Sequence, residues 1–288
     1  ETFVVTAEDL ATAVGAAKDG DTIDVQGGTY RGSLVVDKRL TVTGSDWPVI
    51  DGENEGTVIR ITAPGTIFRG FLIKNSGSSL DEQNSGLAVE AEEVLVENNR
   101  FEDTLFGVYL QKAHHSIVRG NTITSKELEV QRRGDPIRLW YSTDVLVEDN
   151  VVDKGRDVVL WYSERLELRN NTITNGRYGL HFMYCDDAMI EGNRLLDNSV
   201  GTFLMYSRRL NLRNNTIANN RGPSGYGVGL KDMDDAVIVD NLFLNNRVGA
   251  HLDTSPREVD SIGEFSGNVF AYNDIGVEMM PSVRRNMF

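Results

Sequence analysis

The chain has 288 residues, 40% hydrophobic and 25% charged, a balance that excludes a disordered chain. With 29 Lys and Arg against 43 Asp and Glu the net charge is −14, which argues against a nucleic-acid-binding role. A single cysteine, Cys185, excludes an internal disulfide, and the longest apolar runs, such as Val158 to Tyr162, are far short of a membrane span.

The sequence begins at Glu1, with no Met and no apolar leader, and so reads as a mature or trimmed chain. Thr6 to Lys18 carries a Thr cap, an acidic first turn and Leu10 and Val14 at helical spacing, which predicts a short amphipathic helix. It leads into Gly20-Asp21-Thr22-Ile23-Asp24-Val25 and Gly27-Gly28-Thr29-Tyr30, placed to close the open end of a repeat. Segments 106–124, 135–152, 156–174, 178–195, 200–218 and 226–243 align under one another. One Asn recurs at Asn99, Asn121, Asn150, Asn171, Asn193, Asn215, Asn241 and Asn268, with spacings of 22, 29, 21, 22, 22, 26 and 27. A unit of about 22 residues, with short β-rich runs between turns, predicts an all-β, single-stranded right-handed parallel β-helix with a short amino-terminal capping helix. It is expected to be one domain over 1–288, with about 1–20 as cap and about 21–288 as coils. A leucine-rich repeat would need a Leu pattern that is absent. The last coil starts near Glu278-Met279-Met280 and is short, so that end reads as truncated or capped by a partner.

Stacked coils give the recurring residues a structural reading. The Asn column is expected at left-handed turns, its amides bonding along a ladder with rungs roughly 4.8 Å apart. A second such column runs through Gly155, Gly176, Asn198, Asn220, Asn246 and Asn273. Asp186-Asp187, Arg208-Arg209 and Asp234-Asp235 alternate in sign on successive coils, which predicts a solvated salt-bridge ladder rather than paired catalytic carboxylates.

Register separates inside from outside. From the column Gly107, Pro136, Asp157, Gly179, Gly201, Gly227, Gly249 and Gly276, the residues one and three further on are almost all apolar and are expected to form the core. The residues two and four further on then face outward. Trp140, Trp161, Met183 and Met205 form one exposed stripe, with Arg138, Val159, His181 and Phe203 beside it. Such a stripe exceeds the few hundred Å² that a monomer ordinarily exposes, which predicts a docking surface; a covering loop or a stacking ladder is the alternative. His181 and Met183 lie roughly 7 Å apart on one face of a strand, with Met205 one coil above Met183. Imidazole and thioether together suit Cu(I). Contact with a partner, without metal, is the competing reading of the same pair. Cys185 is near in sequence, with its direction open.

The order of these motifs resembles a known family. Arg138-Leu139-Trp140-Tyr141-Ser142, Leu160-Trp161-Tyr162-Ser163, Gly179-Leu180-His181-Phe182-Met183-Tyr184, Phe203-Leu204-Met205-Tyr206-Ser207 and Gly229-Leu230-Lys231-Asp232 are similar to the NosD family. These are periplasmic maturation proteins of nitrous oxide reductase, a copper enzyme of denitrification. The resemblance covers about residues 20–285 and is most specific between 130 and 255; the amino-terminal third resembles carbohydrate-binding and sugar-hydrolase β-helices in general. It implies a non-enzymatic role beside an ATP-binding-cassette transporter made of the NosY permease and the NosF ATPase. It also implies receipt of copper from the NosL chaperone and engagement of the reductase. Under the resemblance, His181, Met183 and Met205 are the residues expected to hold transient Cu(I). Trp140 and Trp161, with Val159, Phe203 and Arg138, form the expected partner surface.

The rival reading is a polysaccharide-binding protein, lyase or epimerase, since β-helices often hold acidic glycans in an outer groove. That chemistry wants carboxylates and cations on the outward columns, which here are aromatic and sulfur-rich. A net charge of −14 also repels a polyanion.

Overall fold

Alternating burial along very short strands builds every coil. In Leu34–Val36, Ile59–Ile61 and Val96 with its neighbours, inward aliphatic residues alternate with outward ones, as a period of two requires. The computed structural model describes all 288 residues. It comprises two units, Glu1–Leu146 and Val147–Phe288.

The first unit opens with the strand Thr2–Val5, a 3-10 turn at Ala7–Asp9 and the helix Leu10–Ala16. The helix buries Leu10, Ala13 and Val14, the expected apolar stripe, against Thr2–Val5 and Thr22–Gln26. Thr6 stands at the turn in extended conformation but makes no capping hydrogen bond through its side chain. The chain then winds through three walls of parallel strands. One wall runs from Leu34–Val36 through Ile59–Ile61, Ser85–Val89 and Phe106–Gln111 to Ile137–Trp140. Phe68, Phe71 and Phe101 are fully buried between the walls; each such ring contributes about 1.5–3 kcal/mol of burial free energy.

The second unit repeats the plan. Its corresponding wall is Asp157–Trp161, Tyr178–Met183, Val200–Met205, Tyr226–Lys231, Val248–Asp253 and Ile275–Met279, all parallel. Val158, Leu160, Leu180, Phe182, Leu204 and Leu230 point inward and are buried, as the register expects.

The Asn ladder is present, but not at the left-handed positions. Asn171 and Asn193 follow residues with positive φ, Asn170 at 52° and Gly192 at 68°, and are themselves buried. The residue before the ladder makes the turn, and the turn aims the amide inward. Each amide oxygen then accepts from the backbone N–H and side-chain amide of the rung below. Asn193 Oδ1 takes Asn171 N and Nδ2, both at 3.0 Å, and Asn193 Nδ2 donates to Leu168 O at 2.8 Å. A second ladder climbs from Gly176 through Asn198, Asn220 and Asn246 to Asn273.

A third corner carries a ladder the sequence reading did not assign. Cys185 N donates to Ser207 Oγ at 2.8 Å, and Ser207 Oγ donates back to Met205 O at 2.7 Å. The residues just before this ladder are tyrosines with positive φ: Tyr162 at 53°, Tyr184 at 56° and Tyr206 at 50°. Outside it stands the charged ladder, with Arg209 on Asp187 at 2.5 and 2.9 Å. Asp234 departs from that expectation, since its Oδ1 accepts the N–H groups of Arg257 and Glu258, both at 2.8 Å.

Candidate functional site

The glycine column explains where the site lies. Gly179, Gly201, Gly227 and Gly249 are stacked so closely that an added Cβ would sit 2.4–2.6 Å from the carbonyl oxygen of the next coil. Asp157 occupies this column without being glycine, and the pairing of its strand shifts register between Asp157 and Val159. Such an irregularity re-aims side chains. The Asp157 carboxylate accepts Arg177 Nε at 2.8 Å and Tyr178 N at 3.3 Å, and it meets His181 Nδ1 at 3.2 Å. Burial pushes the Asp157 carboxyl up. Arg177 and His181 outweigh that effect and hold it below the ordinary carboxylate range.

His181 is therefore a clamped residue. Its ring sits edge-on to Trp161 at 5.4 Å and to Tyr178 at 5.1 Å. In the neutral tautomer that donates from Nδ1 to the carboxylate, the lone pair lies on Nε2. That Nε2 is buried and has no hydrogen-bond partner. Met183 lies two residues along the strand and pairs in register with Met205 on one side and Trp161 on the other. Both thioethers are half-buried. No group of three or more His, Cys, Asp or Glu side chains converges on a common point, so a metal held here would rest on imidazole and thioether.

Two of the stripe residues are not exposed as expected. Val159 is 1% exposed and His181 7%. The reason is ring packing across the wall: Trp161 and Tyr178 enclose His181, and Tyr178 continues to Phe203 at 5.7 Å and Phe203 to Tyr226 at 5.9 Å. Val159 lies in register with His181, within the same packed row. Trp161, Phe203, Met183 and Met205 are half-buried. In the first unit Trp140 is half-buried, and Arg138 is not a free rim cation. Its side chain is 11% exposed, paired to the buried Asp135 at 3.3 Å and packed on Phe106, Tyr109 and Trp140. Cys185 points inward: its thiol donates to Leu160 O at 2.9 Å, and burial pushes its pKa up to about 12, so it offers no thiolate.

The sequence reading missed Asp157, Arg177 and Tyr178 as parts of the site. A signal was available, because Asp157 breaks the glycine column.

Coils of three parallel walls with inward amide ladders define a right-handed β-helix protein. A profile of right-handed β-helix regions matches residues 49–162. The profile of NosD, a periplasmic copper-binding protein, matches residues 120–288, more than half of the sequence, and the chain belongs to that family. A probable ABC transporter binding protein NosD of Pseudomonas aeruginosa is 29% identical over 158 residues, which span 51% of this chain and 37% of that protein. Its counterpart from Stutzerimonas stutzeri is 26% identical over 132 residues, 45% of this chain and 30% of that one. The chain thus matches about a third of the length of these relatives. Among solved structures, the A-module of mannuronan C-5 epimerase AlgE4 from Azotobacter vinelandii aligns with a TM-score of 0.69 at 12% identity, over 98% of this chain and 93% of its own. A family 28 exopolygalacturonase of Yersinia enterocolitica gives 0.67 at 12% identity, over 97% and 77%. At such identities these polysaccharide-active proteins share the fold alone.

Proposed function

We propose that the chain is a non-enzymatic, periplasmic accessory protein that takes Cu(I) from a chaperone of the NosL kind. It presents the ion to nitrous oxide reductase while docked at an ABC transporter of the NosY and NosF type. The family's description as periplasmic and copper-binding, and the transporter-binding names of its relatives, support this reading.

The observation that carries the copper step is the buried, unpartnered Nε2 of His181 on the same strand as Met183, which pairs in register with Met205 on the next coil. A carboxylate on the far nitrogen fixes the tautomer and raises the basicity of the near one, the arrangement by which metal-binding histidines are oriented. Thioethers favour Cu(I) over harder ions. The half-buried Trp161 and Phe203 serve as anchors for the receiving protein, and Trp140 serves likewise from its own unit; Val159 and Arg138 support that surface from beneath.

An anaerobic Cu(I) titration against a competing chelator tests the reading. Wild type is expected to bind one ion. Met183→Ala/Met205→Ala and His181→Phe are each expected to weaken binding at least about tenfold, a loss of one good ligand contact. Equal affinity in wild type and both variants would remove copper from this face. Undiminished reductase maturation in cells carrying the double Met variant would do the same for delivery.

A further inference from the structure

The tyrosine corner of the second unit points to a separate binding feature. Tyr162, Tyr184 and Tyr206 all hold a left-handed backbone conformation that bulky L-residues disfavour. Their rings stack along the coil axis, Tyr162 on Tyr184 at 5.1 Å and 9°, Tyr184 on Tyr206 at 5.2 Å and 17°. Rings stacked this way show edges to the side and a face only at the ends. The stack ends at Tyr206. On the next coil the same left-handed position, at φ 49°, is Asp232 instead of a fourth ring.

A cleft of about 450 Å³ opens there, with Tyr206, Asp232, Glu164, Asp234, Arg208 and Arg257 on its walls. Both guanidinium groups are engaged, Arg257 with Glu258 at 3.0 Å and Arg208 with Asp186 at 3.9 Å. Asp234 is spent on two backbone N–H groups. The Asp232 carboxylate makes neither hydrogen bond nor ion pair. The cleft therefore holds the last ring of the stack and, on the next rung, a carboxylate without a hydrogen bond, whose charge is felt by Arg257 across the cleft.

We propose that this slot receives the guanidinium of an arginine presented by a polypeptide partner. The planar cation stacks on the open face of Tyr206, where the missing ring would lie, and donates to Asp232. Arginine is specified over lysine because a flat cation can stack on a ring and donate to a carboxylate at once. The inference rests on the docking reading only for the origin of the arginine. The slot itself can be measured on the chain alone.

The test is an amide NMR titration of the full chain with N-acetyl-arginine amide. Saturable shifts are expected at Tyr206, Ser207 and Asp232, and none of comparable size with the uncharged isostere N-acetyl-citrulline amide. Asp232→Asn should weaken binding about tenfold, as loss of a charge-assisted hydrogen bond does. Tyr206→Leu should weaken it about three-fold, while Tyr206→Phe, which keeps the ring face, should not. Non-saturable shifts, equal binding of citrulline, or preferential binding of N-acetyl-glutamate amide at Arg257 would each overturn the proposal. Copper affinity should be the same in Asp232→Asn as in wild type, so failure here and failure of the copper reading give different results.

Discussion

A buried amide in this protein serves several partners at once, and that sets what its loss costs. Replacing Asn193 by Leu strands the backbone N–H of Asn171 and one N–H of its side-chain amide, whose other N–H still donates to Val147 O, and takes a donor from Leu168 O. At about 1 kcal/mol or more for each orphaned buried group, Asn193→Leu should cost about 3 kcal/mol. The check is the urea midpoint, and a loss below about 1 kcal/mol would mean that water replaces the ladder. Asp51 makes the corresponding point for charge. Burial pushes its carboxyl up, but the N–H of Glu53 at 3.0 Å, Asn75 Nδ2 at 2.8 Å and the nearby Lys74 and Arg31 outweigh this and hold it below the ordinary carboxylate range. A depressed folded-state pKa contributes stability that is complete above the unfolded value of about 3.9 and is lost as pH falls through the lower folded value. The stability gap between wild type and Asp51→Asn should therefore be widest near neutrality and close below about pH 4 in equilibrium unfolding.

At the scale of the strand, the glycine column is a packing requirement. An added Cβ at Gly201 would meet Gly227 O at 2.5 Å and Ile217 Cγ2 at 2.5 Å, and backbone cannot step aside cheaply. Gly201→Ala should destabilise by about 1–3 kcal/mol, the usual range for overpacking, read as a lowered thermal midpoint. Gly276→Ala, with nothing within 4 Å of the added atom, should be nearly silent. The repeat itself was legible in the sequence because ladders need the same residue at the same rung: Asn99 to Asn268 announce the coil length, and alternation announces the core. The outward face was legible only in part. The columns correctly bring Met183 beside Met205 and His181 into the same strand, since strand geometry fixes both. They could not show that Asp157 and Tyr178 turn across the wall and bury His181 and Val159, because that follows from a register shift and from rotamers. Nor could they show Arg138 folded onto Tyr109 and Asp135 rather than held out to solvent.

For the molecule as a whole, each coil rests mainly on its neighbours, so position within a unit matters as much as residue type. Asn268→Leu, at a half-buried rung, should cost clearly less than Asn193→Leu at a fully buried one, and equal costs would argue for all-or-none unfolding of that unit. The net charge of −14 adds a diffuse self-repulsion. Raising salt from about 10 mM, where screening reaches only beyond about 30 Å, to about 150 mM should raise the thermal midpoint. A flat or falling midpoint would show that the paired charges, such as Asp187 with Arg209, outweigh the repulsion. The buried Cys185 supplies a means of watching a single coil. Its thiol is sealed in the serine ladder of the second unit and, with a pKa near 12, is all but unreactive while that coil is closed. Labelling by a thiol reagent at neutral pH then proceeds only through transient breathing of the rung beside Met183 and Met205. Its rate is a clock for local opening, and a cargo or partner that clasps this face should slow the clock without touching the sulfur.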